Sequence, residues 1–146
     1  MGVGISRIRM ARRMPDAGPA CPCGSGSVYA ACCGRFIDQG MLPATAEQLM
    51  RSRYTAFTQA HESYLLATWH ASTRPESLDF DPENPVKWLG LRIDKVEEGG
   101  ADDDRGQVCF VAHWRVGGGR AQRLQECSRF VREQGRWFYL DGDVRT

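Results

Sequence analysis

The feature that most constrains this chain is Cys21-Pro22-Cys23-Gly24-Ser25-Gly26-Ser27-Val28-Tyr29-Ala30-Ala31-Cys32-Cys33-Gly34, which holds four of the six cysteines. Two cysteines are separated by one residue, eight residues pass, and two more are adjacent. A tetrahedral zinc ion takes four thiolates at about 2.3 Å. A short loop that turns one pair to face the other supplies them. Pro22 stiffens the first pair, and Gly24 and Gly26 permit the reversal. Adjacent Cys32 and Cys33 are badly placed to bridge one another. The expectation is one zinc ion held by Cys21, Cys23, Cys32 and Cys33. Four protein thiolates complete the tetrahedron and leave no place for water or substrate, so the site reads as structural rather than catalytic. So short a loop buries little apolar surface, and the metal must supply much of its folding free energy. Metal removal is expected to melt this segment and leave the rest folded.

The chain has 146 residues, 42% of them apolar, enough for one domain with a small appendage. No apolar run is long enough to cross a membrane. The first twenty residues carry Arg7, Arg9, Arg12 and Arg13 without a continuous apolar stretch, which argues against a secretory signal. They read as a disordered leader, 1–20. The expected compartment is the cytoplasm. There Cys109 and Cys127, on separate predicted strands, are expected as buried or half-buried thiols rather than a disulfide. Net charge is +1, with seven arginines against three acids in residues 1–53. That bias is a weak footprint for nucleic acid, weighed against a solvated tail and ordinary helix arginines, Arg51 and Arg53 among them. Either of these two could instead bury a salt bridge to an acid of the sheet.

After the knuckle, 21–34, residues 35–44 read as a linker with Gly40 and Pro43 as breakers. Thr45-Ala46-Glu47-Gln48 matches a capping box, and Ala46, Leu49, Met50, Tyr54, Phe57 and Ala60 recur at helical spacing. This predicts a helix over 45–60. A second, over about 62–69, places Tyr64, Leu65, Thr68 and Trp69 on one side. From Lys87 the period becomes two. Leu89, Leu91 and Ile93, then Val108 to Val116, then Leu124 to Phe130, then Trp137 to Leu140 predict four antiparallel strands with short connections. Helices followed by strands give an α+β domain over 45–146, with helices packed on one face of a curved sheet.

The cysteine stretch closely resembles the SEC-C motif, a zinc knuckle. Leu49-Met50-Arg51-Ser52-Arg53-Tyr54-Thr55-Ala56-Phe57, Tyr64 to Arg74, Ser128-Arg129-Phe130 and Gly135 to Gly142 resemble the YchJ-like family of uncharacterised bacterial proteins. The resemblance spans about residues 20–143. It implies a nuclear-transport-factor-2-like cone after the knuckle and the same four cysteine ligands. Ala71 stands where relatives commonly have proline, and the residues after Gly142 carry no cysteine for the second knuckle that some relatives have.

Candidate chemistry outside the knuckle is sparse. His70, His113, Glu126 and Asp141 are the acids and bases placed to serve a cone pocket, where a general base needs an apolar setting and a partner for developing charge. They could equally satisfy backbone groups at the helix–sheet edge. Trp88, Trp114, Trp137, Phe138 and Tyr139 read as core rather than as a base-stacking platform. Two functions follow. One is a non-enzymatic adaptor whose knuckle docks a protein or nucleic-acid partner and whose cone holds a small molecule or packs as a dimer. The other is a small cone enzyme of isomerase, dehydratase or hydrolase type. An enclosed pocket of a few hundred Å³ with one of the four groups at its floor favours the second, and a filled cone the first.

Overall fold

The computed structural model describes residues 18–145; nearly all of the expected leader lies outside them. After the knuckle and a 3-10 turn at Tyr29–Ala31 come helices α1 (Gly34–Ile37), α2 (Ala46–Thr58) and α3 (Glu62–Ala67). Four strands follow: β1 (Val86–Glu98), β2 (Arg105–Val116), β3 (Gln122–Glu133) and β4 (Arg136–Arg145). They form one antiparallel sheet in the order β1-β2-β3-β4, the α+β meander expected from the periodicity.

Helix α2 begins where its capping chemistry places it. The Thr45 hydroxyl accepts from the Gln48 amide at 3.1 Å. The Gln48 side chain reaches back one residue further than in a standard box and accepts from the Ala44 amide at 2.8 Å. Its start is wedged against the β1–β2 connection. Ala46 donates to the Gly99 carbonyl, and a side chain on Gly99, itself at φ +79°, would press on the Ala46 methyl. Helix α3 is shorter than expected and is capped by His61, whose ring accepts from the Tyr64 amide. Beyond it the chain is stitched to β4: the Tyr139 amide donates to the Thr68 carbonyl, and the His70 amide to that of Tyr139.

The alternation read for β1 needs one correction. Leu89 is an extra residue between the pairs Trp88↔Trp114 and Gly90↔His113, and it stands 42% exposed. Trp88, Leu91 and Ile93 pack on the core instead. A second bulge falls between Ile93 and Lys95, and a third shift lies between Arg129 and Phe130 of the β3–β4 ladder. Bulges bend a strand and increase its twist, which curls the sheet around α2. Val108, Phe110, Ala112 and Phe130 face the helix and join Leu49, Met50, Tyr54 and Trp137 in one core.

That core also contains all four knuckle cysteines. Within the stretch expected as a linker, α1 buries Phe36 at 5% exposure. The knuckle is therefore seated on α2 rather than suspended from the domain.

Cys109 and Cys127 are also corrected. They lie directly opposite one another in the β2–β3 ladder and are joined as a disulfide. They lie on the sheet face away from the core, since their ladder neighbours Phe110↔Glu126 and Val108↔Ser128 point inward. Directly opposed cross-strand positions hold their Cβ atoms within about 5.5 Å, close enough for two thiols to pair. Strand periodicity alone had not supplied that register.

Candidate functional site

Two sites emerge, one on each face of helix α2. The first is the cysteine cluster. The four Sγ atoms lie within 4.8 Å of one another, and the residues are 0–8% exposed. Thiolates around a tetrahedral zinc at about 2.3 Å stand about 3.8 Å apart. The Cys23–Cys32 separation of 3.6 Å agrees. The cluster fits a metal ion without rearrangement, and the donor set of four thiolates suits zinc.

The surroundings complete it. Four thiolates around a divalent ion carry a net charge of −2, and Arg51 answers it. Its Nη1 donates to the Cys23 carbonyl at 2.9 Å and lies 3.9 Å from the Cys23 sulfur, while its Nε pairs with Glu47 at 3.0 Å. The Arg35 Nε donates to the Cys32 carbonyl at 2.9 Å. The Ser25 hydroxyl lies 3.1 Å from the Cys32 sulfur, and that of Thr55 lies 3.7 Å from the Cys21 sulfur. Hydrogen bonding from Cys33 pulls the Cys23 thiol well below its ordinary value, and the same bond pushes Cys33 up. The cluster thus favours thiolate character at Cys23 even before metal binds.

The second site is a cavity of about 340 Å³ between α2 and the concave face of the sheet. Helix α2 contributes Met50, Arg53, Tyr54 and Phe57. Trp88 comes from β1, Phe110 and Ala112 from β2, and Tyr139 from β4, while Trp69 closes one side. Leu124, Glu126 and Ser128 come from β3. The walls are aromatic and aliphatic, with few polar groups, as in small-molecule sites.

Of the four candidate acids and bases, Glu126 alone lines this cavity. Its Oε2 accepts from the Ser128 hydroxyl at 2.7 Å and from the Tyr139 hydroxyl at 3.3 Å. Burial, with the Glu126 charge behind it, pushes the Tyr139 phenol up to about 12, so it stays a donor. His113 is on the other face of the sheet and exposed. His70 lies outside the cavity, with Nε2 3.0 Å from Glu133 and Nδ1 2.7 Å from the Ser72 hydroxyl. Asp141 accepts from the Arg129 Nε at 2.6 Å on the outer face.

Sequence reasoning missed Arg53. It was read as part of a solvated helix face, or as paired with a sheet acid, and it is neither. It is 4% exposed, and among the described residues it forms no salt bridge. Its Nη1 donates to the Leu65 carbonyl and the Thr68 hydroxyl, both at 2.7 Å. Its guanidinium lies 5.0 Å from the centre of the Trp69 ring and 4.7 Å from that of Tyr139. Burial lowers it to about 10. The available signal was positional: Arg53 follows Leu49 by four residues and so shares the apolar stripe of α2.

The comparisons with known proteins agree with this architecture. Residues 45–142 match the family model for the middle NTF2-like domain of YchJ, and residues 20–35 match the SEC-C motif. A UPF0225 protein of Chromobacterium violaceum is 53% identical over 131 residues, covering 88% of this chain and 96% of that protein. One of a Polaromonas species is 51% identical over 140 residues, covering 90% and 96%. The solution structure of a SEC-C motif containing protein from Rhodopseudomonas palustris superposes with a TM-score of 0.72 at 34% identity, covering 86% of this chain and 98% of that one. A crystal structure of another from Psychrobacter arcticus, at 24% identity, shares the fold with a TM-score of 0.65. The chain therefore belongs to the UPF0225 family, a SEC-C knuckle joined to a YchJ-type NTF2-like domain.

Proposed function

We propose that this protein binds a small, mainly apolar molecule in the cavity of its cone, and that a zinc ion on Cys21, Cys23, Cys32 and Cys33 holds helix α2, one wall of that cavity, in place. The observation that carries the proposal is the cavity itself. It is about 340 Å³, aromatic-walled, with one carboxylate held by two hydroxyl donors. A cone that served only as a scaffold would be filled, because an apolar void forfeits packing. The zinc ion's share is mechanical: it replaces the apolar core that a fourteen-residue knuckle lacks. On this chain's side, Arg51 and Thr55 tie the cluster to α2, the helix that presents Met50, Tyr54 and Phe57 to the cavity.

A second reading, the small cone enzyme that a pocket of this size lined by Glu126 favours, rests on the same carboxylate. Glu126 Oε1 has no hydrogen-bond partner among the described residues, whereas Oε2 has two. A carboxylate oriented on one oxygen and free on the other is placed to take a proton from a bound molecule. Docking of a nucleic acid through the knuckle has less support, because Arg35 and Arg51 already donate to the knuckle's own carbonyls. Among the described residues no helix is long and apolar enough to cross a membrane; a cytoplasmic site of action remains part of the proposal.

The test is fragment binding followed by NMR. Fragments that occupy the cavity shift the indole N–H signals of Trp69 and Trp88, and lose that effect in an Ala112→Leu protein whose cavity is partly filled. A folded protein whose cavity resonances respond to no fragment overturns the reading. Metal analysis of the protein purified without added metal tests the zinc assignment: one ion per chain is expected, and none in Cys23→Ser.

A further inference from the structure

The cavity contains two ionic groups of opposite sign that do not pair with each other. Arg53 and Glu126 both line it, and no salt bridge joins them among the described residues. Each is only partly satisfied by the protein. Arg53 uses Nη1 for both of its hydrogen bonds, and no bond from Nε or Nη2 is made among the described residues. Trp69 presents its ring to the same wall. On the Glu126 side the unspent group is an acceptor, Oε1. The cavity therefore shows spare donors on Arg53 and a spare acceptor on β3, between aromatic walls.

The net charge of the pair is zero. A ligand with a full charge would enter an apolar site where each fixed ion of opposite sign is matched by one that repels it. Desolvating an ion without a surplus counter-charge is costly. A neutral ligand keeps the balance and can meet both unspent groups at once, and groups left unmet in a buried site penalise ligands that lack the matching atom.

We infer that the cavity selects a compact, uncharged, unsaturated or aromatic molecule bearing a hydrogen-bond acceptor for Arg53 and a hydrogen-bond donor for Glu126, a primary or secondary carboxamide being the simplest such group. The inference rests on the cavity being a ligand site. The volume, near the lower end of the range for ligand pockets, limits the molecule to about one ring system with its substituent.

Four probes of one size separate the terms: toluene, benzamide, benzoate and benzylammonium, titrated at neutral pH and followed at the Trp69 and Trp88 indole signals. Benzamide is expected to bind at least about tenfold more tightly than benzoate and benzylammonium, since an uncompensated buried charge costs more than the free energy of one decade in affinity. It is also expected to exceed toluene, which lacks the polar pair. Glu126→Gln leaves Arg53 as the sole cavity ion, so in that protein benzoate should overtake benzylammonium by a further tenfold or more. Tighter binding of either ion than of benzamide to the unaltered protein, or an unchanged order in Glu126→Gln, overturns the neutral-ligand inference while the cavity stands. Failure of all four, toluene included, to move the cavity signals overturns the ligand site and the inference together.

Discussion

The carboxylate of Glu126 occupies the space that a side chain at Gly142 would need. The two residues sit on adjacent strands, Gly142 opposite Ser128 in the β3–β4 ladder. A Cβ built on Gly142 would collide with Glu126 Oε2 and Cδ. The missing methyl lets the glutamate lie down across β4 and reach the hydroxyls of Ser128 and Tyr139.

Gly142→Ala should therefore act through Glu126. Overpacking of this kind costs about 1–3 kcal/mol, and it should weaken cavity binding about tenfold by moving the carboxylate. The decisive measurement is a double-mutant cycle by urea denaturation. In a Glu126→Ala background the Gly142→Ala penalty should nearly vanish, as contacting residues are non-additive. Equal penalties in both backgrounds would show that the glycine serves the backbone instead.

Removing the metal should destabilise more than the knuckle. The four cysteines share one buried core with Leu49, Met50 and Tyr54, so a chelator should lower the thermal midpoint of the whole domain by more than about 5 °C, the shift of roughly 1 kcal/mol in a domain near this size. This differs from the outcome expected of a free-standing knuckle, where α2 would keep its amide protection. Hydrogen exchange of α2 amides with and without chelator distinguishes the two.

The Cys109–Cys127 bond closes a loop of 18 residues in sequence. Chain entropy in the unfolded state assigns such a loop about 3 kcal/mol. Reduction by a phosphine should lower the unfolding free energy read from urea denaturation by up to that amount. The Cys109→Ser/Cys127→Ser protein should be insensitive to the reductant. An equal response in both proteins would place the effect in the knuckle.

Alkaline pH should unfold the protein through its buried phenols. Burial pushes Tyr64 and Tyr139 up to about 12 from an ordinary 10. The unfolded chain therefore releases these protons first. Their contribution to stability is complete below pH 10 and is lost as pH rises through 12, by up to about 3 kcal/mol for Tyr64 and by less for the more exposed, solvent-screened Tyr139. Arg53, lowered to about 10 by burial, opposes this by becoming easier to bury as it deprotonates. Tyr64→Phe should flatten the loss of stability between pH 10 and 12, as read from denaturation midpoints. An unchanged slope would assign the alkaline transition to other groups.

Much of this protein was legible from residue order because the relevant physics is local. Four cysteines within fourteen residues define a tetrahedral donor set whatever surrounds them. Thr45 and Gln48 set the start of α2, and alternation with glycine-rich connections sets a meander. What the sequence could not decide depends on register and facing. Whether Glu126 or His113 enters the cavity turns on strand parity, and they fell on opposite faces. One inserted residue at Leu89 shifted the β1 pattern, and ladder alignment alone brought Cys109 to Cys127. Arg53 shows the same limit most sharply. A helix-borne arginine reads as solvated until the sheet curls over it, and only the tertiary structure supplied the carbonyl, hydroxyl and aromatic faces that hold its charge inside. The knuckle's chemistry was thus determined by its own fourteen residues. Its place in the core, behind a cavity with a cancelled pair of charges, was decided by the packing of elements far apart in the chain.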